Sequence, residues 1–330
     1  MKSRIFSIQY ARAFAALSIV IYHTMRKGML LGYNSHEFNI GKMSVPFFFI
    51  ISGFIIGYIQ DRKRYSVKLF LTHRLIRVMP LYYIFTLVIL LIYLVHPSLV
   101  YYSHNPNITI WGSFLLYPVE NTSMLLNPGW TLRPEIVFYA IFAINLFIDK
   151  DNKSRFIPSV IICALLSFSN NITHSMVYEA YFEYLYIFSL GVLIYLFHNK
   201  WEANVNGYLL SIISVLAFFI IVYFVCKIDE VNLKSVLLLG LLFYILIINE
   251  GMFNNNSLLG KAVYLIGNAS FSIYLTHVFA IGVITYIFKY THLPNEFYSI
   301  TCVILAIVVG LISYRFIECP ILSFIKRVAI

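Results

Sequence analysis

Apolar residues in this chain fall into long runs separated by short polar segments. The runs lie at approximately 5–25, 43–60, 76–96, 130–148, 156–170, 181–198, 207–226, 233–250, 269–289 and 298–324. A helix needs roughly 20 apolar residues to cross a ~30 Å hydrocarbon core, so this pattern predicts an all-α polytopic membrane protein with about ten transmembrane helices. The fifth run is the shortest of the ten. A stretch at 108–118, flanked by Pro106 and Pro118, is too brief to span and predicts an interfacial or re-entrant segment. No linker, heptad repeat, low-complexity tract or soluble domain-sized segment interrupts the pattern, so residues 1–330 are expected to form one membrane-embedded domain.

Composition agrees with the pattern, because 60% of the 330 residues are hydrophobic and 12% are charged. A net charge of +10 raises the question of nucleic acid, but no basic stripe or stacking motif accompanies it. The surplus instead fits loops on the cytoplasmic side of a membrane. Fifteen of the 24 lysines and arginines fall on the side of the membrane that holds the N-terminus, among them Arg62, Lys63, Arg64, Lys68, Arg74 and Arg77. Six fall on the other side (Arg26, Lys27, Lys42, Lys227, Lys234 and Lys289), and Arg12, Arg133 and Arg315 lie within helices or at their edges. Both termini are therefore expected in the cytoplasm, with the longest loop, roughly 97–129, outside. The first run follows Lys2 and Arg4, as in a signal peptide, but it contains Arg12 and has no convincing small-residue cleavage site. It is expected to stay as the first helix.

Arg12 and His23 are eleven positions apart in that run. A central arginine costs ~2.5–3.5 kcal/mol on insertion scales, so the pair reads as a functional site. At ~1.5 Å per residue they stand ~16 Å apart along a helix, a distance one reaction can bridge only with a long substrate. The four cysteines, Cys163, Cys226, Cys302 and Cys319, lie in or beside apolar runs without CxxC spacing, which points away from metal and disulfide roles. The triplets at Asn107, Asn121 and Asn171 occur readily by chance.

Several segments together resemble the acyltransferase-3 group of integral membrane acyltransferases, nearly end to end. Arg12-(AFAALSIVIY)-His23 matches its R-x10-H signature, and PFFFIISGFIIG, Pro46 to Gly57, is similar to its S-G-F segment through Ser52, Gly53 and Phe54. HRLIRVMPLYY resembles its R-x-x-R-x-x-P element through Arg74, Arg77 and Pro80. WTLRPEIVFY, Trp130 to Tyr139, is similar to W-S-L-x-x-E-x-x-F-Y, with Thr131 keeping the hydroxyl of the usual serine. SFSIYLTH, ending at His277, and RFIECP, containing Glu318, match late-helix features. The chain has no appended esterase-like domain of the kind some members carry, so activity is expected in the membrane part.

The resemblance implies a membrane O-acyltransferase that moves an acyl group, foremost acetyl, from cytoplasmic acyl-CoA to a hydroxyl of an extracytoplasmic glycan such as O-antigen, capsule or exopolysaccharide. It implies a bacterial plasma membrane, acyl-CoA as co-substrate, and no metal or nucleic acid. His23 suits a general base, or becomes acylated itself; the alternative is a core histidine bonded to a carbonyl. Arg12 stabilises donor or oxyanion charge, or is a counter-ion to a glutamate. Arg74 and Arg77, three apart on one helical face at the cytoplasmic start of the third helix, suit nucleotide phosphates, or serve as anchors.

Glu135 orients His23 or binds the acceptor, or favours the helix start beside Pro134. Glu318 supports the site or pairs with Arg315 three residues before it. Ser52 and Gly53 allow a ligand or a neighbouring backbone close approach. Trp130 and His277 are further candidates. Tyr101, Tyr102 and Trp111 suit sugar stacking or an interfacial belt. Rival readings are a transporter or flippase, which inverted repeats would favour, and a non-catalytic partner in glycan export.

Reporter fusions test the orientation. A cytoplasm-active reporter is expected to work at the C-terminus and to fail within 97–129; activity in that loop would invert the topology.

Overall fold

The computed structural model describes residues 5–33, 39–97, 100, 107–149, 156–169, 175–200, 230–254, 256–291 and 294–328. The run at 207–226 with Cys226, and Tyr101, Tyr102, Asn171, Lys2, Arg4, Lys150, Lys153, Arg155 and Lys227, lie outside them. The other nine apolar runs all fall on helices. These are α1 (Phe6–Leu30), α2 (Ser44–Lys63), α3 (Val67–Val95), α4 (Ile110–Leu115), α5 (Leu132–Ile148), α6 (Ile157–Phe168), α7 (Met176–Tyr181) and α8 (Leu185–Lys200). After them come α9 (Leu233–Ile248), α10 (Leu258–Asn268), α11 (Ser270–Tyr290), α12 (Glu296–Ser313) and α13 (Cys319–Val328). A two-residue parallel bridge, β1 (Ile108–Thr109) with β2 (Ser123–Met124), is the strand content among the described residues.

Among the described residues, six helical stretches are long and apolar enough to cross a membrane: Gly41–Lys63, Val67–Val95, Asn127–Ile148, Glu179–Asn199, Ser270–Tyr290 and Glu296–Ile325. The apolar helices α6 and α9 are shorter. Helix α1 is long but carries Arg12, Ser18 and Thr24, all buried, so its composition is that of an interior helix. On α12 the outward positions Ile300, Ile304, Val308 and Ile312 are between 44% and 58% exposed, four residues apart along one stripe. Such an apolar surface suits hydrocarbon and would be an aggregation hazard in water.

Two boundaries differ from the hydropathy pattern. Helix α3 begins at Val67, where the Ser66 hydroxyl accepts from the Leu69 N–H at 3.3 Å. Lys68, His73, Arg74 and Arg77 dilute the hydropathy of its first turns, so the apolar run begins late. Arg74 therefore lies two turns inside the helix rather than at its start. The final run is not one α-helix, because Tyr314–Glu318 form a π-helical turn between α12 and α13. Pro320 has no N–H for the carbonyl four residues back, and a widened turn absorbs that loss.

The chain divides into two compact units. The first comprises Met1–Ile55 and Leu193–Tyr314, the second Ile56–Val192 and Arg315–Ile330. In the first, α1 packs against α9, α10, α11 and α12. Close approach comes from glycine: a Cβ at Gly267 would stand 2.1 Å from the Gln9 carbonyl oxygen, and one at Gly310 would stand 2.7 Å from the Ile273 Cα. Helix α1 has no side-chain cap of its own. Glu250, in the 3-10 turn after α9, supplies one from a distance, accepting from the Phe6 N–H at 2.6 Å and the Ser7 N–H at 2.9 Å. A carboxylate at a helix N-terminus satisfies orphan donors and complements the dipole.

In the second unit, α5 packs on α3, α6 and α7, and α13 on α3. The segment expected to be interfacial or re-entrant forms β1 and α4, with Ser113 buried and Trp111 78% exposed. Tyr82 of α3 donates to the Ser113 carbonyl at 2.5 Å, and the Ser113 hydroxyl accepts from the Leu125 N–H at 2.8 Å. Arg133 donates to the carbonyls of Leu116 and Tyr117 at 3.0 and 3.2 Å, closing the end of α4.

Glu250→Ala is expected to lower stability by about 1–3 kcal/mol, because two backbone donors lose a charged acceptor. Glu250→Gln keeps one acceptor and should lose less. Thermal unfolding in detergent checks both, and an unchanged midpoint in the alanine variant would show that Glu250 does not hold α1.

Candidate active site

One cluster belongs to the first unit. Helix α1 is unbroken from Phe6 to Leu30, so Arg12 and His23 keep their ~16 Å axial separation. Arg12 is 9% exposed, and its Nη1 donates to Gln9 Oε1 at 3.4 Å. His23 is half-buried, and its ring stacks on that of His277 with centroids 5.1 Å apart and planes 29° apart. His277, on α11, is fully buried, and its Nδ1 donates to the Tyr274 carbonyl at 2.6 Å. The sequence named both histidines but gave no sign that they touch, since 254 positions separate them.

Tyr22 lies beside His23 at 5.2 Å between centroids, and its hydroxyl accepts from Arg26 Nη1 at 3.1 Å. Arg26 stands within electrostatic reach of His23. In the sequence Arg26 reads as one of the outer-side charges, and its three-residue step from His23 puts the two on one helical face. On α2, Ser52 is half-buried and Gly53 buried, next to Phe54, which packs edge-on to Tyr195 and Phe243.

A second cluster belongs to the other unit. Arg74 is 7% exposed and lies near the Phe70 ring. Tyr139, Arg77 and Glu135 are all within electrostatic reach of it. Glu135 sits in the first turn of α5, and the Tyr139 hydroxyl hydrogen-bonds its carboxylate across one helical turn. The structure thus joins Arg74 and Arg77 with Glu135, which the sequence placed in separate roles. Tyr139 was legible only as the last letter of a motif. Trp130, in the 3-10 turn leading into α5, packs against Tyr184 at 5.6 Å.

Glu318 is buried in the π-helical turn, whereas Arg315 is exposed.

The imidazoles of the first unit can accept a proton, and the buried arginine–carboxylate group of the second can bind an anion. The sequence model of an acyltransferase domain, Acyl_transf_3, matches residues 5–315. The chain belongs to the acyltransferase-3 family. It is a multi-pass membrane acyltransferase. Among curated proteins it is 27% identical over 317 residues to the exopolysaccharide production protein ExoZ of Rhizobium meliloti (strain 1021), covering 92% of this chain and 94% of that protein. No solved structure matches it.

Arg74 and Glu135 are expected to be energetically coupled in this acyltransferase. A double-mutant cycle with Arg74→Met and Glu135→Gln, followed by thermal unfolding, should give a coupling of about 1–3 kcal/mol. Additive effects would show that the two charges do not act on each other.

Proposed function

We propose that this acyltransferase moves an acyl group, foremost acetyl, from cytoplasmic acyl-CoA to a hydroxyl of an extracytoplasmic polysaccharide, in a bacterial plasma membrane with both termini inside. Support for the polysaccharide comes from ExoZ, whose name ties it to exopolysaccharide production and which this chain matches over nearly its whole length. Support for the donor comes from the chemistry of Arg74 and Arg77, whose guanidiniums suit phosphate oxygens. The observation that carries the reading is His23 itself, a half-buried imidazole on the same helix as buried Arg12 and stacked on a second histidine.

In this reading His23 accepts the proton of the acceptor hydroxyl as the oxygen attacks the thioester carbonyl carbon. The carbon–sulfur bond breaks, the ester forms, and the thiolate leaves with the proton that His23 returns. A long, thin donor arm accounts for the ~16 Å between Arg12 and His23, with Arg12 engaging the donor and Ser52 and Gly53 allowing its close passage. Within the second unit Glu135 holds Arg74, and Trp130 and Glu318 belong to that unit too.

His23→Gln is expected to reduce glycan acylation in cells by ~10²–10⁴-fold at normal protein level, because glutamine keeps a polar group of similar reach but cannot take up a proton at neutral pH. Mass spectrometry of surface glycans, with acetyl-CoA binding measured alongside, checks this. Near-normal acylation would remove His23 from the chemistry.

A further inference from the structure

His277 has a fixed tautomer. A backbone carbonyl only accepts, so the 2.6 Å contact to Tyr274 places a proton on Nδ1. In the neutral ring Nε2 is then a bare acceptor. That atom is fully buried and has no hydrogen-bond partner among the described residues. Buried acceptors are satisfied in the great majority of native sites, and the exceptions concentrate where a ligand completes the site.

On the same helix, Thr276 donates to the Ser272 carbonyl at 2.8 Å, and Ser313 of α12 donates to the Ser272 hydroxyl at 3.3 Å. Those two hydroxyls are spent on the helix pair α11–α12, which Gly310 packs tightly at Ile273, whereas Ser270 Oγ and Thr24 Oγ1, like His277 Nε2, have no hydrogen-bond partner among the described residues. The imidazole is held at one nitrogen and stacked on His23 by its face. Its remaining lone pair lies in the ring plane, away from that stacked face.

We propose that His277 is a second substrate-contacting residue, whose Nε2 receives a hydrogen bond from an O–H or N–H group of the substrate lodged beside His23. This rests on the acyl-transfer reading above. The donor group belongs either to the acceptor hydroxyl or to an amide N–H of the acyl-CoA arm, and both present the same chemistry to the nitrogen. His277 contributes a lone pair and takes no proton in the transfer, which leaves base catalysis to His23.

Two substitutions separate the two edges of the ring. His277→Asn keeps an N–H where Nδ1 donates to Tyr274 but has no acceptor at the Nε2 position, whereas His277→Gln places a carbonyl oxygen there. Both would be purified in detergent, compared in thermal unfolding, titrated with acetyl-CoA, and scored in cells for glycan acylation. The expected result for a folded His277→Asn is a loss of at least tenfold in acylation, a rise of at least tenfold in the acetyl-CoA dissociation constant, or both. Loss of acylation with unchanged acetyl-CoA binding assigns the contact to the acceptor hydroxyl; weakened acetyl-CoA binding assigns it to the donor arm.

His277→Gln is expected to stay within about threefold of the parent in whichever of these the asparagine variant loses. A folded asparagine variant that matches the parent in both measurements overturns the proposal and leaves His277 a packing residue. A folded glutamine variant as impaired as asparagine also overturns it, because proton transfer rather than acceptance of a hydrogen bond is then what His277 supplies. A parent protein that neither binds acetyl-CoA nor acylates glycan would instead remove the acyl-transfer reading itself.

Discussion

Two backbone N–H groups at the start of α1 converge on the carboxylate of Glu250, 243 and 244 residues away in sequence. Helix α1 is the element on which the first unit is assembled, touching α9, α10, α11 and α12. It also carries both polar residues of the R-x10-H signature. A helix with a buried guanidinium and a half-buried imidazole gains little from hydrophobic burial at those positions, so its placement depends on contacts at its ends and on close backbone approach. Glu250 supplies the first, Gly267 against Gln9 the second, and Tyr10 adds a hydrogen bond to the Asn254 carbonyl at 2.8 Å.

The sequence discloses the helices better than their ends or their partners. Hydropathy finds α2, α5, α8, α9 and α11 because their apolar positions are continuous. It starts α3 nine residues late because four cationic or potentially cationic side chains offset the apolar ones in its first turns. Helix α10 escapes it, being only eleven residues long and amphipathic. Residues of a motif are likewise legible one at a time, whereas their company depends on which helices pack together. Nothing in the spacing of His23 and His277, or of Arg74 and Glu135, reports that each pair meets. Glu250 lacked even a motif, since its role is defined by two N–H groups near the other end of the chain.

The two clusters divide the chemistry in a way the fold makes intelligible. Arg74, Arg77, Glu135 and Tyr139 form a charged group between α3 and α5 in which like and unlike charges offset one another. That arrangement lets a guanidinium remain inside a helical unit. His23 and His277 instead meet through ring faces, with His277 Nδ1 held by the Tyr274 carbonyl and its Nε2 without a partner among the described residues. Family membership and helix composition together establish a membrane acyltransferase.

The π-helical turn at Tyr314–Glu318 has a bearing on how this chain tolerates change in length. Such a turn holds one residue more than an α-helical turn of the same rise. Deleting a single residue there would remove that extra residue and redistribute the others within the turn, while α12 and α13 kept their relative facing. Glu318 would leave its buried position while the composition of the segment stayed almost the same. The inward aim of that carboxylate is thus encoded by a count of residues, a property that hydropathy and substitution tables do not register.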